Sequence, residues 1–445
     1  MIESPDKYQL GSVIIEANRG EEDPVLYDIT QIVGEINVYE DLNIPYLTAG
    51  LAIVDSAAMA AVINFNGTER LRITLFNNED FPIEMEFIIY SIGNVSKRPG
   101  NDYASTYTIN AIEPLGYVSN FVKLRHGFSG NISSILTDIY TTHLEAELAA
   151  EPSQQSVKVV IPNLSPLGAA DWLRKRATSE FGEPMFLYSS IKEGPQFRSL
   201  GSLMTADPVI QDTFLYTQIG NQDLNHKART ILSLTVEEND NIISIARSGA
   251  IKSRYFSIDP FRSSIDSVNF SAIDHLESRR GRTLHENALL DESFTIGSDQ
   301  KRIVDLDSTF FSQINTTAMF DQGSLAYDEE PDPNDHVRKV SADSDRMILQ
   351  KQEMSVVIPG WYFLSREENT SIGRVIDVTV PKDQPSFTES SAEVLVDKKR
   401  SGKWLISRAR HKFSIDGSYY VACNLQRMAS EDTLTDQELR PDTQI

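Results

Sequence analysis

Cysteine is almost missing from this sequence: Cys423 stands alone among 445 residues. A single thiol excludes an internal disulfide and a cysteine-based zinc site, which takes several thiolates. Cys423 alternates with Tyr419, Val421 and Leu425 in "YYVACNL", which reads as a small buried hydrophobe in a strand. A basic excess is missing as well. The net charge is −23, whereas nucleic-acid binders carry a basic stripe that displaces counterions from phosphates. The acidic balance is still compatible with a surface along which DNA slides without sticking. "MIESPDKYQL" has no basic region followed by an apolar core, so no export signal is expected. The longest apolar run, "AGLAIVDSAAMAAVINF", is interrupted by Asp55 and is too short to span a bilayer. The expectation is a chain made in a cytoplasm, without membrane insertion.

Catalytic signatures are equally scarce. Gly-x-Ser-x-Gly and the P-loop pattern are absent. The seven histidines are scattered, and no pair has the spacing of a His-Glu-x-x-His zinc helix. Neither a cofactor nor a metal is expected, nor a catalytic residue. Carboxylate pairs such as Glu237-Glu238 serve glycosidases only when they face each other across a cleft, and in a chain this acidic such pairs arise by chance. The sequence therefore reads as a non-enzyme.

What is present is strand periodicity. The 40% apolar content is that of an ordinary globular chain, and the length favours several domains. Residues 1–113 read as a first antiparallel β-barrel: six alternating segments end in "EMEFIIYSIGNVSK" and "YASTYTINAIE", with a hairpin loop at "KRPGND". Asp55 caps a short helix through "SAAMAAV", and Asn66-Gly67 turns the chain into "RLRITLF". From 114 to 230 the texture becomes α+β. One helix is capped by Ser129 or Asn131; another is capped by Ser165, with Pro166 in its first turn and Gly182 past its end; a hairpin turns at "KEGP". Residues 231–262 plus 346–428 read as a second barrel. Within it, Pro359-Gly360 separates two apolar runs, and Asp416-Gly417 makes a hairpin turn. Residues 263–345 form a polar insertion of mixed structure joining the α+β module. Its "AYDEEPDPNDHVRK" is a solvated loop, since a calcium loop needs a ligand ladder with a turn glycine where this one has proline. Residues 429–445 read as a loose tail.

The two β regions have one layout. "FIIYSIGNVSKRPGNDYASTYTINAIE" and "WLISRARHKFSIDGSYYVACNLQRM" are each a long strand, a turn and an alternating strand. Each follows a glycine break, at Gly67 or Gly360. An internal duplication accounts for this order. The expected fold class is thus mainly β, with two similar tube-like antiparallel barrels and a helical, mixed middle module. Lys97 and Arg98 on one hairpin, and Arg408, Arg410 and Lys412 on the other, are candidate interface cations that grip acidic neighbours.

The combination resembles the baseplate hub protein of contractile-tailed bacteriophages, and its relatives at the base of the spike in type VI secretion and tailocin particles. The residues carrying the resemblance are "NIPYLTAGLAIVDSAAMAAVINFNGTERLRITLF", "GFSGNISSILTDI", "ADWLRKRATSEFGEPMFLYSS" and "GKWLISRARHKFSIDGSYYVACNLQRM", in that order, over roughly 35–260 and 345–428. The resemblance implies a homotrimer whose six barrels form a pseudo-hexameric ring. Such a ring is a symmetry adaptor between the six-fold tail tube and the three-fold central spike. The implied partners are further copies of the chain, the spike protein, and the tube or tube-initiator protein, with tape measure and baseplate wedge proteins as neighbours. DNA passes through the lumen during ejection without specific binding. The implied location is the virion tail baseplate, assembled in the host bacterial cytoplasm. Without a Val-x-x-Gly stalk or lysozyme-like region, the chain is expected to be the hub alone. The rival expectations are a tail-associated cell-wall hydrolase acting through 263–345, and a carbohydrate- or receptor-binding tail module.

Overall fold

The computed structural model describes residues 4–430, except 19–22, 77–81, 98–104, 155, 217–222, 238–241, 260–262, 278–286, 289–294, 297–300, 303–308, 315–334, 365–370, 382–395 and 398–399. Arg98, most of the acidic stretch around 326–334 and nearly all of the tail lie outside the described residues.

The fold is mainly β. Its backbone is one extended sheet built from two groups of strands. The first group comprises Gln9–Ala17, Val25–Asp28, Val33–Asp41, Thr48–Asp55, Arg70–Phe76, Pro82–Lys97 and Ser105–Ile112. Alternation decides which face each strand buries: Leu71, Ile73 and Leu75 are buried, while Arg70 and Arg72 between them face solvent. The second group comprises Phe214–Leu215, Ser233–Glu237, Gln352–Pro359, Val375–Thr379, Gly402–Ser414 and Tyr419–Arg427.

The two groups share a connectivity. In the first, the spatial order is 33–41, 48–55, 105–112, 82–97, 70–76, 9–17. In the second, it is 233–237, 352–359, 419–427, 402–414, 375–379, 214–215. Numbering the five main strands of each unit in chain order, both units lie in space as first, second, fifth, fourth, third. Every neighbour among them is antiparallel. A short helical turn links second to third strand in both, Met59–Ile63 in one and Gly360–Tyr362 in the other. The fourth strand is long and bulged in both, with register shifts at Ile89/Ser91 and at Ile406/Arg408. The units differ at the segment beyond the third strand: Gln9–Ala17 runs antiparallel to it, and Phe214–Leu215 runs parallel. One apolar cluster runs through both units, from Val13 and Leu71 to Val356 and Leu425.

Local chemistry places the connections. The Asp55 carboxylate accepts from the backbone N–H groups of Ala57, Met59 and Ala60, capping the first helical turn. Asn131 caps Ile132–His143, and Ser165 caps Pro166–Arg174. These helices and the hairpin Met185–Ser190/Gly194–Ser199 form the middle module around Ile135, Leu136, Leu173 and Phe197.

Three expectations need correction. Lys252–Asp259 does not join the second barrel; it pairs with Ser264–Ser271 and Thr309–Ile314 in a separate three-stranded sheet. Asp335–Leu349 is a helix, so "RMIL" at 346–349 is helical rather than extended. The run after Pro359-Gly360 is a 3-10 turn, and the third strand of the second unit begins only at Val375. Its leading glycine is Gly373, at φ +72°, a left-handed value like the φ +85° of Gly67 before Arg70–Phe76.

Gly360 serves close approach instead. A Cβ there would lie 2.0 Å from Cδ1 of the fully buried Tyr419 ring, leaving neither side room to move. Gly360→Ala is expected to destabilise the protein by about 2–3 kcal/mol. Gly50→Ala, where a Cβ meets nothing within 4 Å, is expected to stay within about 0.5 kcal/mol. Paired urea melts check this, and equal midpoints for the two variants would contradict it.

Candidate functional site

The two units meet strand to strand. Val33–Asp41, first strand of the first unit, pairs antiparallel with the far half of Gly402–Ser414, fourth strand of the second. The register runs from Arg408 opposite Asp41 to Ser414 opposite Glu35.

On the outer face of this joint the cations sit on one strand and the acids on the other. Arg408 Nε lies 2.8 Å from Asp41 Oδ2, and Lys412 Nζ 3.0 Å from Glu35 Oε2. Arg410 donates to Asn37 Oδ1 at 2.8 Å and stands over the Tyr39 ring. Burial tends to raise the Glu35 carboxyl, but the Asn37 and Lys412 hydrogen bonds and the Lys412 and Arg410 charges hold it below the usual carboxylate range. These pairs are largely exposed, so each contributes less than about 1 kcal/mol; their use is to fix register and polarity.

The inner face is polar in a different way. Strand alternation turns Ile36, Val38 and Glu40 inward, and Ala409, His411 and Phe413 inward opposite them. Glu40 Oε2 lies 3.0 Å from His411 Nε2, and Ser371 Oγ reaches both. Glu40 Oε1 accepts from the Ile191 backbone N–H at 2.8 Å. His411 Nδ1 meets the Tyr419 hydroxyl at 2.8 Å, and Tyr419 stacks on Phe413 with ring centroids 4.3 Å apart. Burial, then the Glu40 charge, raise the Tyr419 hydroxyl well above its ordinary value and raise the Cys423 thiol too. Both therefore stay neutral.

Ser371, His411 and Glu40 are the residue types of a hydrolytic triad, but the geometry is wrong for one. The serine and the acid share Nε2, whereas a nucleophile and an orienting acid need opposite ring nitrogens. Ser371 and His411 are also both 0% exposed, out of reach of any substrate. The cluster is a tie. It draws together the first unit (Glu40), the second (His411, Tyr419), the loop before the third strand (Ser371) and the middle module (Ile191).

A second tie lies at Glu113, where the first unit hands the chain to the middle module. Its carboxylate accepts from the Leu47 backbone N–H at 2.8 Å and from the Ser189 hydroxyl at 3.1 Å. Burial outweighs both bonds and pushes its pKa up to about 7.

Among the residues singled out in the sequence, the structure brings Arg408, Arg410 and Lys412 together. Their acidic neighbours belong to the same chain. Lys97 is exposed at the end of Pro82–Lys97, the first unit's own fourth strand; Arg98 is outside the described residues. Asn66 and Gly67 lie in the turn before Arg70–Phe76, where the buried Glu69 carboxylate accepts from both backbone N–H groups. Pro359 ends a strand and Gly360 opens the 3-10 turn; Asp416 and Gly417 lie in the loop between the last two long strands. Sequence reading missed Glu40, His411 and Ser371. The legible signal was parity: Glu40 and His411 occupy inward positions of alternating strands. Among the described residues there is no group of His, Cys, Asp and Glu able to hold a metal ion, and no helix long and apolar enough to cross a membrane.

No protein-family description matches the sequence, and no characterised protein matches it by sequence. Solved structures do match by shape. One is a tail protein from Neisseria meningitidis MC58, with a TM-score of 0.52 and 9% identity over 95% of this chain and 97% of that one. Another is the 43 kDa tail protein of prophage MuSo2 from Shewanella oneidensis, with a TM-score of 0.52 and 10% identity over 94% of this chain and 100% of that one. The chain has the fold of these tail proteins.

Two expectations follow from the ties. Glu40→Ala leaves His411, Ser371 and the Ile191 N–H without their acceptor and should cost about 3 kcal/mol or more, while Arg408→Ala should cost less than about 1 kcal/mol. Urea denaturation reads both, and a mild Glu40→Ala phenotype would show that the tie is dispensable. For Glu113, the folded state holds the proton more tightly than the unfolded chain. Its favourable contribution is therefore complete below the ordinary glutamate pKa and is lost as pH rises towards 7. The stability of Glu113→Gln relative to the parent should thus increase by on the order of 2 kcal/mol between pH 4.5 and 7.5. A flat difference over that range would contradict the assignment.

Proposed function

We propose that the chain is a structural hub of a contractile phage tail baseplate: a homotrimer forming a pseudo-hexameric ring that adapts the six-fold tail tube to the three-fold central spike. The observation that carries this reading is the repeated strand order, with the two repeats joined side by side by continuous backbone pairing. A trimer can offer six equivalent docking surfaces only if each chain carries the docking unit twice. The fold shared with two tail proteins supports a structural role in a tail.

In this reading, residues 1–113 are one tube-type unit. The second is built from 214–215, 233–237 and the β stretch from 352 to 428, and the middle module and the 252–349 region decorate the ring. One face of the ring meets the tube or its initiator, the other the spike. Tape measure and wedge proteins are further neighbours, and the virion tail is the location. The net charge of −23 suits a channel wall that repels the genome and lets it slide. The hydrolase reading needs an open site, and the sealed Ser371–His411–Glu40 cluster lends it nothing.

The purified chain should show a native mass three times its 49.9 kDa, and no clearing in zymograms of cell-wall material. A stable monomer, or lysis by the purified chain, would overturn the proposal.

A further inference from the structure

Each repeat has two lateral edges, one on its first strand and one on the far half of its fourth strand. The joint uses the first strand of unit one (33–41) and the fourth strand of unit two (408–414). This leaves the fourth strand of unit one and the first strand of unit two. Pro82–Lys97 pairs with Arg70–Phe76 as far as Ile88, and the Ile89 N–H bonds the Glu69 carbonyl. Beyond that, among the described residues, Ser91–Lys97 pairs only with Ser105–Ile112 on its other side. Among the described residues, Ser233–Glu237 likewise pairs only with Gln352–Pro359. Unpaired strand edges are templates for addition of another strand.

We infer that Ser91–Lys97 of one copy receives Ser233–Glu237 of the next, antiparallel, repeating the joint between Gly402–Ser414 and Val33–Asp41. The inference rests on the ring reading above and gives it its contact. Charged pairs mark only the joint within the chain. Within the chain, the fourth strand brings Arg408, Arg410 and Lys412 and the first strand brings Glu35 and Asp41. At the free edges, Lys97 and Glu237 each end their strand, so antiparallel pairing sets them at opposite ends of the contact. Apolar side chains accompany both edges: Tyr90 and Val95 are 53% and 64% exposed, Leu232 and Val236 37% and 43%. The contact is heterologous, since the two edges differ. It therefore propagates head to tail and ends only by closing a ring.

The duplication also sets the register. Ile92 faces Ile109 as Ala409 faces Cys423, and, past a one-residue bulge between Gly93 and Ser96 that the second unit lacks, Ser96 faces Thr106 as Lys412 faces Tyr420. Leu234 faces Val356 as Ile36 faces Leu51. Because Lys412 lies opposite Asn37 within the chain, Ser96 of one copy should lie opposite Thr235 of the next. Opposed residues of antiparallel strands have Cα atoms about 4.5–5.5 Å apart, within disulfide range. Both residues are exposed, so substitution spares the fold, and the native Cys423 is fully buried.

The experiment mixes purified Ser96→Cys protein with Thr235→Cys protein under mild oxidation. The expected result is a covalent dimer in the mixture and none from either variant alone. Ser96→Cys/Thr235→Cys in one chain should give a cross-linked trimer on non-reducing gels, and Lys412→Cys/Asn37→Cys should give only an internal cross-link. Native mass separates the two levels of failure. A trimer by mass without these cross-links overturns the edge assignment and leaves the hub reading standing. A monomer by mass overturns both. Dimers from one variant alone would mean an isologous contact and would also overturn the inference.

Discussion

The structure depends on one backbone pairing, between Val33–Asp41 and Gly402–Ser414, made across almost the whole length of the chain. Everything between those strands, the middle module and the 252–349 region included, is spanned by that closure. Strand hydrogen bonds alone do not dictate which residues oppose each other, because a pairing slipped along the strand makes equivalent bonds. The buried Glu40 removes this freedom. Its two oxygens are engaged by His411, Ser371 and the Ile191 N–H, and any slip leaves a carboxylate inside the core without partners. Burying such a group against water is expensive unless each lone pair is met. The tie is thus best understood as specifying register, with the exposed Arg408–Asp41 and Lys412–Glu35 pairs adding polarity.

From that constraint the larger geometry follows. Two copies of one unit, set side by side by a strand pair, define a step from one unit to its neighbour. Repeating a fixed step produces either a ring or a helix. In the proposed ring, a chain holding two units would supply half of the steps covalently and leave the other half to contacts between copies. The units are not identical in their surroundings. The first is flanked by Gln9–Ala17 and Val25–Asp28, the second by Phe214–Leu215, and the middle module touches both. In the proposed ring, such differences would set six similar surfaces on one face and three distinct ones on the other.

Much of this was legible in the sequence where local rules apply. Alternation marked the long strands, Asp55, Asn131 and Ser165 marked helix starts, and the isolated Cys423 marked a core position. The mainly β class and the paired layout were legible for the same reason. One failure is of partnership: which sheet a strand joins is not written in the strand's own residues. Lys252–Asp259 alternates as well as any barrel strand yet belongs to another sheet. The segment "GRVIDVTVP" read as a strand and holds Val375–Thr379, whereas the apolar "WYF" after Gly360 also reads as extended and opens in a 3-10 turn. The helix Asp335–Leu349 was hidden because its buried face mixes Val340, Ile348 and Leu349 with Ser341, Ser344 and Asp345. Ser341 and Ser344 donate to the carbonyls of Gly182 and Ala250, and Asp345 meets His275 at 3.2 Å. The tie at Glu40 could be suspected from parity, but its partners come from strands and loops more than a hundred residues away, and only the fold brings them together.

The most direct test of the central claim is an electron cryomicroscopy map of the isolated assembly. The account predicts a closed ring of three copies whose strand pattern in the barrel layer superposes on itself after a turn of about 60°. A map whose barrel layer repeats only every 120°, or whose two units from one chain are not neighbours around the lumen, would contradict it.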